Sequence, residues 1–100
     1  MEVLHPYKEQ IDALCRKHKV QNLFVFGSVL SESFSDESDI DFLVRFKQID
    51  LDKYADNYYE FKFGLQQLLQ RRIDLLEDQA IQNPFFRQNI EAHRQLLYAA

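Results

Sequence analysis

The sequence predicts an α/β domain, a β-sheet covered mainly by helices, and three observations lead there. Short apolar runs recur at Leu23-Phe24-Val25-Phe26, Phe42-Leu43-Val44 and Ile73-Asp74-Leu75-Leu76, each of strand length. Before the last of them lies a long amphipathic stretch in which Tyr54, Tyr58, Phe61, Leu65 and Leu68 repeat four, three, four, three, the period of a helix with one apolar stripe. Strands separated by helices in this order make an α/β layer. A chain of 100 residues suits one domain over 1–100, burying roughly 65% of its unfolded surface, with no room for a separate substrate domain.

The elements follow in order. Pro6 to about Lys19 reads as a helix, with proline at its first turn and Tyr7, Ile11, Leu14, Cys15 and His18 along one side. Cys15 on that stripe is a small buried residue, not a nucleophile. Gln21 to Phe26 is the first strand, and Gly27-Ser28 opens a short helix through about Ser33, followed by a loop over Phe34 to Ser38 whose acids Asp36 and Glu37 are solvated. Asp39 to Phe46 is the second strand, and Leu51 to about Arg71 the long helix. Tyr59 and Phe63 fall to one side of its stripe, either a partner surface or the edge of the core. Gly64 inside it costs about 1 kcal/mol relative to alanine, and allows another element to come close. Arg72 to Glu77 is the third strand; Asn83 caps a helix starting at Pro84 with Phe86 and Ile90 turned inward; and Leu96 to Tyr98 closes the chain as a short strand.

The chemistry concentrates at two strand ends. An apolar run halted by Gly27-Ser28 delivers the backbone to a tight turn, where glycine permits close approach, serine caps the following helix, and the helix N-terminus faces a phosphate. Ten residues later, Asp39 and Asp41 share one face of a strand, about 6 to 7 Å apart along the chain, with Ile40 and Phe42 on the other. Two like charges beside so apolar a run call for a cation. Magnesium sits on one or two carboxylates plus substrate phosphates, so phosphoryl or nucleotidyl transfer follows. Asp74, planted in the third strand, is the candidate third carboxylate of a two-metal clamp. Arg45 falls on the face of the two acids, either to meet phosphate, to neutralise them, or as a surface residue.

Composition narrows the alternatives. Hydrophobic residues make up 46% and charged residues 28%, as in a globular domain. A net charge of −4 opposes nucleic acid, which disfavours direct nucleic-acid binding and a template-directed polymerase. One cysteine excludes an internal disulfide and a cysteine zinc cluster, and the three histidines have no ligand spacing. Neither a signal peptide nor a membrane span is visible, so a cytoplasmic protein with no membrane partner is expected.

The pattern Gly27-Ser28, ten residues, Asp39-Ile40-Asp41, then Asp74 in a later strand resembles the nucleotidyltransferase superfamily that includes DNA polymerase beta. In its small size and its Ser38-Asp39-Ile40-Asp41 context the chain is similar to the minimal nucleotidyltransferases, or MNT domain proteins. The closing Asn83-Pro84-Phe85-Phe86 and Leu96-Leu97-Tyr98 also look like the end of that family, so the resemblance covers nearly the whole chain.

The resemblance implies a polymerase-beta-like nucleotidyltransferase fold, a small mixed sheet of about four strands packed with helices. It also implies an antitoxin that moves AMP from ATP to a tyrosine of a HEPN-domain toxin, in a homo- or hetero-oligomer. Gly27 and Ser28 then hold the triphosphate, Asp39 and Asp41 ligate two Mg2+ ions, and Asp74 ligates the catalytic ion or accepts the acceptor proton. One departure stands out: where the family commonly reads Ala-Arg-Gly after Gly-Ser-x, this chain has Leu30-Ser31-Glu32. Either Arg45, Lys47 or Arg72 replaces the missing cation, or nucleotide binding is weak. Two rival functions are a non-catalytic antitoxin that masks its toxin, and an adenylyltransferase acting on a small molecule.

Overall fold

The alternation of strands and helices becomes a four-stranded mixed sheet in the computed structural model, which describes residues 3–27 and 38–100. After a 3-10 turn over His5–Tyr7, helix α1 spans Lys8–Lys17 and strand β1 Val20–Phe26. Strand β2 is Ile40–Phe46, helix α2 Leu51–Leu69, strand β3 Ile73–Glu77, helix α3 Pro84–His93 and strand β4 Gln95–Ala99. The short helix expected after Gly27-Ser28, with Ser28, Ser31 and the loop acids, lies outside the described residues.

Helix ends differ from the sequence reading for backbone reasons. The helical pattern predicted α1 through Lys19 and α2 through Arg71, but Lys19 and Gln70 take left-handed φ values of 59° and 54°, which stop each helix earlier. At α3 the expected cap is present, the Asn83 side chain accepting from the amides of Phe85 and Phe86 at 2.9 and 3.2 Å. Ile90 is buried as expected, whereas Phe86 is 44% exposed and so is not turned into the core. It sits in the first turn of a helix that buries only Ile90.

The strand order is β3-β2-β1-β4, antiparallel except for the parallel β2–β3 pair joined through α2. Alternation along β2 turns Ile40, Phe42, Val44 and Phe46 to one side, where they join Leu23 and Val25 of β1 and Ile73 and Leu75 of β3. Ile11 and Cys15 of α1 with Phe61, Leu65 and Leu69 of α2 close over that side and make the core. Gly64 serves the junction of the two helices: a Cβ there would stand 3.0 Å from a methyl of Leu14 on α1. The other side of the sheet carries Phe24, Asp41, Leu43, Arg45 and Asp74, and α3 lies against part of it, with Arg94 stacked 4.0 Å over the Phe24 ring. The acids thus occupy the face away from α1 and α2.

Candidate active site

Register places the acids. β2 is central, so Asp41 stands between Phe26 of antiparallel β1 and Asp74 of parallel β3. Gly27 follows Phe26 directly and therefore comes level with the Asp41 side chain. A Cβ on Gly27 would lie 2.2 Å from Asp41 Oδ2 and 3.2 Å from its Cγ, so a side chain there would push the Asp41 carboxylate out of its place. Gly27 also has φ +79°, a left-handed conformation that side chains resist. Two independent demands therefore fall on one glycine: the chain must turn there, and the Asp41 carboxylate must rest where a side chain would be.

On its other side the Asp41 carboxylate lies within hydrogen-bonding reach of Asp74, and two carboxylates bond only if one is protonated. Burial first, then that bond, then the charges of Asp74 and Asp39 push the Asp41 carboxyl up from 3.8 to about 6.

Asp39, expected as the first residue of the strand but standing one residue ahead of β2, has another engagement. Its Oδ1 lies 3.5 Å from Nε of Arg72, which precedes β3 as Asp39 precedes β2. Backbone contacts fix this corner: the Ile40 amide donates to the Arg72 carbonyl at 3.4 Å, and Arg71 Nη1 donates to the Ser38 carbonyl at 3.2 Å. Among the described residues no group of three or more His, Cys, Asp or Glu side chains is arranged to hold a metal ion. The structure thus brings Asp41 and Asp74 into contact, sets Asp39 near enough to repel Asp41, and leaves the three short of a closed cage. As a donor set, the hard oxygens of Asp41 and Asp74 fit a divalent cation of the magnesium type, which takes one or two carboxylates and completes its shell with phosphates and water.

The residues offered as substitutes for the missing arginine now separate. Arg45 lies four residues beyond Asp41 on β2, about 13 Å along the strand, and buried Leu43 intervenes. Lys47 pairs through its backbone with Lys19 at the far end of β2. Arg72 stands at the acids. The arginine before it, Arg71, also reaches this corner, and its signal in the sequence is the Arg71-Arg72 doublet directly ahead of the strand that carries Asp74.

Comparison with known proteins agrees with this geometry. The family described as "Nucleotidyltransferase domain" matches residues 7–97. A Methanocaldococcus jannaschii protein provisionally named a protein adenylyltransferase is 31% identical over 90 residues, covering 90% of this chain and 86% of the relative. A second from the same organism, with the same provisional name, is 32% identical over 90 residues with the same coverage. Among solved structures, one provisionally described as a minimal nucleotidyltransferase superposes with a TM-score of 0.78 at 26% identity, covering 94% of this chain and 92% of the other. The structure of a tri-AMPylated Shewanella oneidensis HEPN toxin in complex with its MNT antitoxin gives a TM-score of 0.65 at 20% identity, over 95% and 71% of the two chains, a likeness of fold. With the family match running through β1, Gly27, β2 and β3, this chain belongs to the nucleotidyltransferase domain family and shares the fold of its minimal members.

Proposed function

We propose that this chain moves AMP from ATP to a hydroxyl acceptor with the help of Mg2+, and that the acceptor is a tyrosine of a HEPN-domain toxin. The observation that carries the reading is the Asp41 carboxylate, laid over Gly27 on one side and joined to Asp74 on the other. In the transfer, the acceptor oxygen bonds to the α-phosphorus, the bond from that phosphorus to the bridging oxygen of the β-phosphate breaks, and pyrophosphate leaves. Gly27 and Ser28 hold the triphosphate, by backbone amide donors and the Ser28 hydroxyl. Asp39, Asp41 and Asp74 supply the oxygens that hold Mg2+, and Asp74, the most exposed of the three, takes the acceptor's proton. Bound Mg2+ supplies charge stabilisation at the attacking and leaving oxygens.

The acceptor class rests on the relatives. Those at about 31% identity carry protein adenylyltransferase names, and chains of the same fold occur in complexes of a toxin with its antitoxin, one with AMP-PNP and one with an AMPylated HEPN toxin. The test is transfer of label from α-labelled ATP to a cognate HEPN protein. Label on the toxin, dependent on Mg2+ and removed by Asp41→Ala, is the expected result; label on neither chain while the two bind tightly overturns it.

That second outcome describes a masking antitoxin, and one observation favours a protein-facing surface in either case. Tyr59 and Phe63 are 52% and 58% exposed and stack on one another with ring centroids 6.3 Å apart. In a masking protein, Tyr59→Ala with Phe63→Ala abolishes protection against the toxin while Asp41→Ala leaves it intact.

A further inference from the structure

We propose that Tyr59 is itself an acceptor of AMP, modified by the acid group of a second copy of this chain. The inference rests on the nucleotidyl-transfer reading and adds a site of modification to it. Of the five tyrosines, Tyr7, Tyr54, Tyr58 and Tyr98 pack against the core. Tyr54 also donates its hydroxyl to Glu77, and Tyr58 donates to the Leu75 carbonyl at 2.6 Å. Tyr59 stands outside the core with 52% of its surface exposed, and among the described residues nothing bonds its hydroxyl. Its ring is nevertheless held. Phe63 stacks on it with centroids 6.3 Å apart and planes inclined by 29°, and Tyr58 meets it edge-on at 5.1 Å. A hydroxyl on a fixed ring, within a helix of 19 residues, loses little further freedom when it is offered to a reacting centre.

Placement decides whose acids can reach it. Helix α2 lies on the core side of the sheet and Asp41 and Asp74 on the other, so the sheet stands between Tyr59 and the acids of its own chain. The donor must be another copy. Charge and spacing match for that encounter: exposed Asp56 lies one turn before Tyr59 on the same face of α2, about 5 Å along the helix. Arg72, 84% exposed, lies two residues before Asp74, about 7 Å along the strand direction. An acceptor helix that brings Tyr59 to Asp74 therefore brings a carboxylate towards that guanidinium. In the step itself, the Tyr59 oxygen bonds to the α-phosphorus of the ATP held by the other copy, and the bond from that phosphorus to the bridging oxygen of the β-phosphate breaks. Pyrophosphate leaves, and the hydroxyl proton passes to Asp74 of that copy. The product carries a nucleoside and one negative charge beside Phe63, which turns an apolar patch into an anionic one.

The test makes one chain the donor and the other an acceptor only. Wild-type chain, ATP and Mg2+ are incubated with an Asp41→Asn chain grown in heavy nitrogen, the two are weighed by intact mass spectrometry, and any adduct is mapped by peptide analysis. The expected result is an AMP increment on the heavy chain at Tyr59, at a rate that rises with donor concentration and is absent when the donor is left out. Adding Tyr59→Phe to the heavy chain keeps the ring and its stacking, and is expected to lower the increment by about tenfold or more, since only the hydroxyl can bond the phosphorus. An equal increment with Tyr59→Phe, or an increment confined to the wild-type donor, overturns the proposal. So does a heavy chain that gains nothing while the same donor labels a cognate HEPN protein, and the nucleotidyl-transfer reading then stands. A donor that labels neither copy of the chain nor the HEPN protein overturns both.

Discussion

Asp41 is where structure and stability oppose each other. Its carboxyl is raised from 3.8 to about 6 in the folded chain, so folding favours the protonated form. Between these values the folded state binds more protons than the unfolded state, and stability is fullest below about pH 4 from this group and falls as pH rises through about 6. Thermal melts of the cation-free protein are expected to show that loss, and Mg2+ to raise the melting temperature more at pH 7.5 than at pH 5. Asp41→Asn removes the charge, so it is expected to raise the melting temperature of the cation-free protein at pH 7.5 while removing the gain from Mg2+. Gly27→Ala should cost about 1–3 kcal/mol from its positive φ alone, and more from the overlap with Asp41 Oδ2. A denaturation double-mutant cycle separates the two: Asp41→Ala should recover the overlap and leave the backbone cost.

At the scale of elements, α1 and α2 meet through Gly64, and α3 is held by its cap. A Cβ at position 64 needs only the end of Leu14 to give way, and the roughly 1 kcal/mol gained in helix propensity offsets it. Gly64→Ala is therefore expected to change stability by less than about 1 kcal/mol, and Gly64→Leu, which forces the helices apart, to cost about 1–3 kcal/mol in chemical denaturation. Asn83→Ala should cost about 1 kcal/mol by releasing the amides of Phe85 and Phe86.

Element order was legible because period reports burial: Phe61 and Leu65 repeat on α2, and Phe42 and Val44 alternate on β2, and all four lie in the core. The helix ends were less legible, since Lys19 and Gln70 adopt left-handed backbone without glycine to announce it. Phe86 misled because its spacing from Ile90 looks like a stripe, while α3 covers only part of a sheet face and buries Ile90 alone. The pairing of Asp41 with Asp74 could be expected from two acids on neighbouring strands, but that Asp39 turns to Arg72 depends on side-chain placement that spacing does not encode.

For the molecule as a whole, the sheet divides the labour. One side is closed by α1 and α2 into the core; the other holds Asp41 and Asp74, with α3 over part of its width. Among the described residues no helix is long and apolar enough to cross a membrane. The exposed Tyr59 and Phe63 lie on α2, behind the sheet from the acids, so a partner seated there leaves the candidate active site open. The central claim is that the Asp41–Asp74 pair performs nucleotidyl transfer to a protein. Intact mass spectrometry of a cognate HEPN protein, after incubation with ATP, Mg2+ and either the wild-type chain or Asp41→Asn, tests it most directly. The expected result is an AMP increment on the HEPN protein with the wild-type chain and none with Asp41→Asn, although the variant is at least as stable and binds the same partner. An increment of equal size with the variant, or none with the wild-type chain, would contradict the assignment.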